Sequence, residues 1–359
     1  MNRIILIGNG FDLAHGLKTS YVHFIDWFWE EELKKIKNNL GTGVPYQDDY
    51  ISMKYKFRNW LPCPEKTSYQ ELLSNLENNH AENVMSYKNK FLEIITKKTD
   101  LQNWVDIEEE YYEQLKTHMI RNEIEKIKKL NSDLKQIKDE LEKYLKQEYR
   151  TRFKPTDIQN KRSYYNLLRI IDSEFEKKDF TTEIASGKPR NILFINFNYT
   201  SIENLYRSPN LGFDADCIHI HGELYDDQNP IIFGYGDEID DDYKMLEKKS
   251  VGKNFILENM KSVNYSQANN YSRILRFINS DLYQIFILGH SCGNSDRTLL
   301  NKLFEHENCV SIKPYCYIDK DGKSDYIDKY INISRHFNDK HLLRERVVNA
   351  SDCDLMPQF

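Results

Sequence analysis

The sequence predicts an α/β protein: a doubly wound, mostly parallel sheet built from both ends of the chain, with a large helical insert between them. Three observations predict it. Short continuous apolar runs occur at the N-terminus and return only after residue 188; they stop at polar turns that carry glycine; and the stretch between is long, polar and rich in helix-forming residues. Ligands on open α/β sheets bind at the carboxyl ends of the strands, so the polar turns are where function is expected.

The first run, Ile4–Ile7, has no alternation, which suggests a strand buried on both faces, and Gly8-Asn9-Gly10 ends it. An aromatic-rich helix is expected from Tyr21 to Trp29, with Phe24, Trp27, Phe28 and Leu33 roughly at helical spacing. From about residue 31 to 188 the character changes. Gly41, Gly43, Pro45, Pro62 and Pro64 mark loops. Beyond them, Ile120, Ile124, Ile127, Leu134, Leu141 and Leu145 recur at threes, fours and sevens among Lys, Glu, Asp and Asn. That spacing predicts one long amphipathic helix over about 108–148, paired as a hairpin with a helix at Tyr164–Phe175. Asn131 and Lys138 interrupt its apolar seam and favour a packed arm over an extended coiled coil. Strands are then expected at Ile192–Ile195, Cys217–His221, Ile231–Phe233 and Ile285–Leu288, with a helix from about Ser295 to His306. The domain division that follows is 1–30 with 189–359 as the sheet domain, and 31–188 as the helical insert.

Composition excludes other classes. With 40% hydrophobic and 30% charged residues, and only 14 Gly and 9 Pro among 359, the chain is neither collagen-like nor low-complexity. Lys+Arg 50 against Asp+Glu 56 leaves a net charge of −6, which argues against dedicated nucleic-acid binding. No apolar run approaches the roughly 18 residues of a membrane span, and the N-terminal run is too short for a signal peptide. A soluble cytoplasmic protein is expected. Cys63, Cys217, Cys292, Cys309, Cys316 and Cys353 are scattered without a Cys-x-x-Cys pair, so reduced thiols are expected rather than a zinc ribbon or disulfide framework.

Several constellations could carry chemistry. Gly8-Asn9-Gly10-Phe11-Asp12 stands where a phosphate or ribose loop belongs, yet Leu13 occupies the place of the third glycine of a dinucleotide fingerprint; the next glycine is Gly16. A plain tight turn is the competing reading. Asn196 and Asn198 would share one face if the strand continued, as would His219 and His221. The histidines could supply a general base, grip a metal, or simply pack. Gly289-His290-Ser291, with Ser295 and Asp296, is either a second nucleotide loop or a helix cap. Asp237, Glu238, Asp240, Asp241 and Asp242 lack the spacing of a calcium loop and read as solvated. Asp106 and Glu108 either face a cleft or act as ordinary first-turn acids.

Taken in order, these pieces resemble the bacterial AbiH abortive-infection family: the opening from Leu6 to Tyr21, Trp104-Val105-Asp106-Ile107-Glu108, Asn196-Phe197-Asn198-Tyr199-Thr200, Ile218–Leu224 and Phe286–Leu300. That family is in turn similar to the Rossmann-like, sirtuin-like NAD-binding domains of anti-phage systems. Their glycine-rich opening matches Gly8, Gly10 and Gly16, their catalytic asparagine falls on Asn198, their His-Gly pair on His221-Gly222, and their late loop on Gly289–Asp296. Asn9 replaces a small residue, Thr200 replaces an acid, and His290 and Cys292 enter the late loop.

The resemblance implies an anti-phage effector that cleaves NAD to nicotinamide and ADP-ribose, with Asn198 and His221 catalytic. Gly8, Asn9, Gly10, Asp12, Gly16, Asn196, Gly289, His290, Ser291 and Asp296 would hold the dinucleotide. NAD enters as substrate or ligand, and the chemistry calls for no cofactor and no metal. A non-catalytic nucleotide sensor is the alternative, and a metal-dependent hydrolase or nuclease using His219, His221 and the acidic stretch a weaker one. Homo-oligomerisation through the helical insert, an unidentified phage trigger and no membrane partner complete the expectation.

Overall fold

A computed structural model describes residues 1–39, 42, 44–53, 71, 74, 85–98, 104–184, 186–207, 213 and 215–359. Gly41, Gly43, Pro62, Cys63 and Pro64 lie outside the described residues. The chain divides into two units, Met1–Lys18 with Leu145–Phe359, and Thr19–Tyr144.

The first unit is built on five parallel strands: β1 (Asn2–Ile7), β5 (Ile192–Asn196), β6 (Ala215–His219), β7 (Tyr283–Leu288) and β8 (Cys309–Tyr315). Their lateral order is β6-β5-β1-β7-β8. The chain therefore builds outward from β1 to one edge and returns to add β7 and β8 on the other side. The direction reverses between β1 and β7, and in open α/β sheets that reversal opens a crevice at the carboxyl ends of the strands.

The unbroken apolar runs follow from burial on both faces. Ile4, Leu6, Leu193, Ile195, Ile285 and Ile287 point into one core layer with Ile274, Ile278, Leu299, Leu300 and Leu303 from helices Asn270–Ile278 and Arg297–Phe304. Ile5, Ile7, Phe194, Phe286 and Leu288 point into the other, with Phe11, Leu167 and Ile171. A sheet covered on both sides needs no polar alternation.

The second unit contains a small antiparallel sheet of order β2-β3-β4, formed by β2 (Tyr46–Gln47), β3 (Ile51–Met53) and β4 (Met85–Tyr87). Helices Tyr21–Asn39, Lys90–Lys97 and Trp104–Ile120 belong to it. Its buried centre includes Phe24, Phe28, Trp29, Phe91 and Tyr111. Asn131, which interrupts the apolar seam, is buried and accepts a hydrogen bond of 2.8 Å from the Tyr111 hydroxyl.

Three expectations are corrected, and one strand was not expected. The single helix over about 108–148 is two, Trp104–Ile120 and Ile124–Arg152. Asn122 takes φ 56 between them, a left-handed conformation that Asn tolerates. Its amide and that of Glu123 close on the carbonyls of Met119 and His118, a C-terminal cap the periodicity did not reveal. The helix expected at Tyr164–Phe175 runs Arg162–Ile171 and packs in the sheet core with Tyr149 and Phe153. It belongs to the first unit, because its buried residues complete the layer under β1 and β5. Ile231–Phe233 is not a strand; Ile232 makes one backbone bond to the His221 carbonyl, 2.7 Å, and Ile231 and Phe233 are buried without joining the sheet. Conversely, β8 escapes the apolar pattern because it carries Lys313 and Pro314. Lys313 is buried against Asp179 at 3.1 Å and Asp354 at 2.9 Å, and β8 is an edge strand, where proline is tolerated.

At the reversal point the loops after β1 and β7 touch backbone to backbone. The Gly10 amide donates to the Gly289 carbonyl at 2.8 Å. A Cβ on Gly289, whose φ is +73, would meet the Phe11 nitrogen at 2.2 Å, and one on Gly8 would meet the His290 Cα at 2.8 Å. Gly252 has nearly the same φ, +74, with open space around it. Gly252→Ala should therefore cost about 1 kcal/mol of conformational strain, whereas Gly289→Ala should cost at least about 2 kcal/mol more, because backbone atoms must move apart. Urea midpoints measure the difference, and equal losses would contradict the contact.

Candidate functional site

The carboxyl ends of β1, β5, β6 and β7 carry two buried polar networks. Their construction starts where the strands stop. Asn196 is the last residue of β5 and is fully buried. Its side-chain oxygen accepts from the Asn198 amide at 2.7 Å, while its Nδ2 donates to the Thr200 carbonyl at 3.0 Å and to Glu203 Oε2 at 2.9 Å. This closes the segment into a turn, so Asn198 no longer continues the strand face.

Asn198 reaches across to the loop after β1, where its Nδ2 donates to the Gly8 carbonyl at 2.9 Å and to Asp12 Oδ1 at 2.6 Å. Thr200 donates its hydroxyl to the other carboxylate oxygen of Asp12, also at 2.6 Å. Asp12 is 2% exposed. Burial pushes its carboxyl up to about 7, against the pull of the Thr200 and Asn198 hydrogen bonds. His219, the last residue of β6, completes this network: its Nε2 lies 3.1 Å from Glu203 Oε1 and its Nδ1 3.3 Å from the Asn198 carbonyl. Burial opposes its protonation, but Glu203 prevails and holds its pKa above the usual histidine value.

The second network centres on Asp296. Its Oδ1 lies 2.9 Å from Lys261 Nζ and 3.0 Å from His221 Nε2, and its Oδ2 lies 3.5 Å from His290 Nε2. Lys261 is itself buried and also reaches Ser295 Oγ at 3.3 Å. Burial would raise the Asp296 carboxyl, but Lys261, His221 and His290 together hold it well below the usual range, so it is ionised. Desolvation first, and Lys261 second, lower His221 to about 4. At neutral pH His221 is thus a neutral imidazole beside a carboxylate that only accepts, which places its proton on Nε2. The Tyr265 hydroxyl, 3.2 Å from the same nitrogen, stacks its ring on His221.

Phe197 joins the two networks. It follows Asn196 in the turn, and its ring packs 5.1 Å from the His221 ring and 4.1 Å from the His290 ring. His290 accepts from the Cys292 amide at 3.0 Å through Nδ1 and lies against Gly8. Asn198, His221, Asp12, Asn196, Gly8, Asn9, Gly10, Gly289, His290 and Asp296 thus gather at one edge of the sheet. Ser291 is exposed and Asn9 half-buried there.

The paired spacings read differently in three dimensions. Asn196 and Asn198 do not present one face, and His219 and His221 serve separate networks, because β5 and β6 end at the first member of each pair. Gly16 takes φ +83 at the end of helix Asn9–Ala14, where the amides of Gly16 and Leu17 close on Leu13 and Asp12. That is a helix-ending role which needs no ligand. Asp296 does sit at the N-cap of helix Arg297–Phe304, but its side chain makes no cap bond. In the acidic stretch, Asp237 pairs with Arg297 at 3.2 Å and Asp240 caps helix Asp241–Lys249. Asp106 and Glu108 lie in helix Trp104–Ile120 of the other unit, Asp106 in its first turn.

Lys261, Tyr265 and Glu203 were not anticipated from sequence. Lys261 and Tyr265 lie in short helical turns without a recognisable motif, and only the need to neutralise a buried Asp296 could have called for a lysine. As a metal-capable group, the described residues bring together Glu203, Cys217 and His219, whose ligand atoms all lie within 4.8 Å of one another.

The elevated Asp12 pKa has a signed consequence. A carboxyl raised from 3.8 to about 7 on folding favours the folded state at low pH and loses that contribution as pH rises through 7. Asp12→Asn removes the titration. Its melting temperature relative to wild type should therefore improve between about pH 4 and pH 7 and level off above it, the full linkage amounting to at most about 4 kcal/mol. A gap that does not change with pH would contradict the buried, elevated carboxyl.

Among the described residues no helix is long and apolar enough to cross a membrane. No curated protein matches the chain. The family model for bacteriophage abortive infection AbiH matches residues 4–317, which takes in the loops after β1, β5, β6 and β7 and points to a role in abortive infection. The chain belongs to the AbiH family.

Proposed function

We propose that this protein is an abortive-infection effector that hydrolyses NAD at the bond between nicotinamide and ribose, on a sheet that is doubly wound and sirtuin-like. The observation that carries the reading is the convergence of Asn198 and the His221–Asp296 pair on the edge where the loops after β1 and β7 meet. In such sheets this is the crevice that takes nucleotides.

Each group has a part that its surroundings suit. Both bonds of Asn198 Nδ2 are made within the protein, to Gly8 and Asp12, so its Oδ1 is the atom free in chemistry to accept from a ribose hydroxyl or an attacking water. Asp12 is a positioning residue, one hydrogen bond behind Asn198. His221 holds its proton on Nε2 against Asp296, so Nδ1 is the nitrogen that accepts. Cleavage leaves the electron pair of the breaking bond on nicotinamide, which departs neutral. Water adds to the ribose carbon, and its proton passes to His221 and on to solvent. The leaving group needs no acid, and positioning with one modest base supplies several powers of ten in rate. Glycines at the two loops let backbone amides approach the pyrophosphate. NAD is the substrate, and no other cofactor is invoked.

Purified protein incubated with NAD should release nicotinamide, and His221→Ala and Asn198→Ala should each lower the rate about 10²–10⁴-fold. Because His221 titrates near 4, the rate should show no inflection from it near the ordinary histidine value of about 6.5. No nicotinamide release by the purified protein, together with undiminished NAD in infected cells that carry it, would overturn the reading.

Thr200 favours a second reading. It stands where the similar sirtuin-like domains carry an acid, and it is committed to Asp12. A sheet that binds the dinucleotide without breaking it would serve as a sensor. Calorimetry showing tight NAD binding, with the ligand intact hours later, would select that reading.

A further inference from the structure

We infer that Glu203, Cys217 and His219 form a binding site for one zinc-type divalent cation, separate from the His221–Asp296 pair. Cys217 and His219 stand two apart on β6, and so on one face of the strand, while Glu203 comes from the helical turn Ile202–Tyr206 that follows the loop after β5. The imidazole nitrogen, thiol sulfur and carboxylate oxygen all lie within 4.8 Å of one another, and all three side chains are buried. The 3.1 Å between His219 Nε2 and Glu203 Oε1 is close to the edge of a tetrahedron whose N and O ligands are each about 2.0–2.1 Å from zinc.

Two further contacts point to a ligand set. His219 holds its other ring nitrogen 3.3 Å from the Asn198 carbonyl, the outer bond that fixes a metal-binding imidazole with Nε2 directed inward. The other oxygen of Glu203 is fixed likewise, by Asn196 Nδ2 at 2.9 Å. On the open side, Glu223 places a carboxylate oxygen 3.8 Å from His219 Nε2 and is 30% exposed, so it supplies both a fourth ligand and the route of entry. Arg207, 3.8 Å from Glu203, balances charge: two carboxylates and a thiolate meet the dication and one guanidinium. A thiolate, an imidazole and carboxylates together select zinc over magnesium or calcium. Binding displaces the Cys217 thiol proton and the proton shared by His219 and Glu203, and both go to solvent. The ion would tie the helical turn Ile202–Tyr206 to β6, and through the Asn196 bond to Glu203 it would steady the turn that carries Asn198. The inference does not depend on NAD being cleaved.

Chelator-treated full-length protein titrated with zinc chloride should take up one equivalent and melt at a higher temperature. Cobalt(II) in place of zinc should give intense tetrahedral visible bands and a thiolate-to-metal charge-transfer band. Cys217→Ser should abolish the charge-transfer band, and His219→Gln the stoichiometric binding. Wild-type protein that shows no charge-transfer band, or that binds zinc no better than the Cys217→Ser/His219→Gln double variant, would overturn the site. The wild-type cobalt spectrum decides the matter even if the variants fail to fold.

Discussion

The structure at the candidate site depends on two loops approaching closer than side chains allow. Gly10 donates to the Gly289 carbonyl, and the space a Cβ would need at Gly8, Gly10 or Gly289 is already filled by backbone or by His290. That approach fixes where β1 hands over to helix Asn9–Ala14 and where β7 ends. It brings the Gly8 carbonyl within reach of Asn198 and sets His290 beside Asp296. Three glycines so placed do the work that a phosphate loop would otherwise leave to conformational freedom.

Around that contact the polar groups are ordered in advance. Asp296 is ionised because Lys261 is buried with it; burial and Lys261 keep His221 neutral against the pull of the carboxylate, which fixes its tautomer. Asp12 is in the opposite situation: among the described residues it has hydrogen-bond donors but no cation in contact, so burial dominates and raises its pKa. Two aspartates at one edge of the sheet are thus driven apart in acidity, one by Lys261 with His221 and His290 beside it, the other by burial. Sites that perform proton transfer are commonly arranged in this way, because orientation is settled before substrate arrives.

Much of this was legible in the sequence. The strands β1, β5 and β7 announced themselves as unbroken apolar runs, since a sheet covered on both faces leaves no polar alternation, and their polar ends marked the edge where the two buried networks lie. What escaped depends on long-range partners. β8 was hidden by Lys313, whose buried charge is answered by Asp179 and Asp354, distant in sequence. The cap at Asn122 was hidden because the apolar seam continues past it. The two-residue spacings of Asn196 with Asn198 and of His219 with His221 were visible, but their geometry was not. Where a strand stops cannot be read from alternation, and stopping two residues sooner sends the second side chain elsewhere. Lys261 was invisible because nothing local distinguishes a buried lysine from an exposed one.

The most direct test is a structure of the protein with an uncleavable NAD analogue, read for the groups nearest the nicotinamide ribose. The account predicts Asn198 Oδ1 within hydrogen-bond distance of a ribose hydroxyl, His221 Nδ1 facing the anomeric carbon, and the pyrophosphate against the loops after β1 and β7. A dinucleotide seated elsewhere, or a ribose that contacts neither Asn198 nor His221, would contradict it.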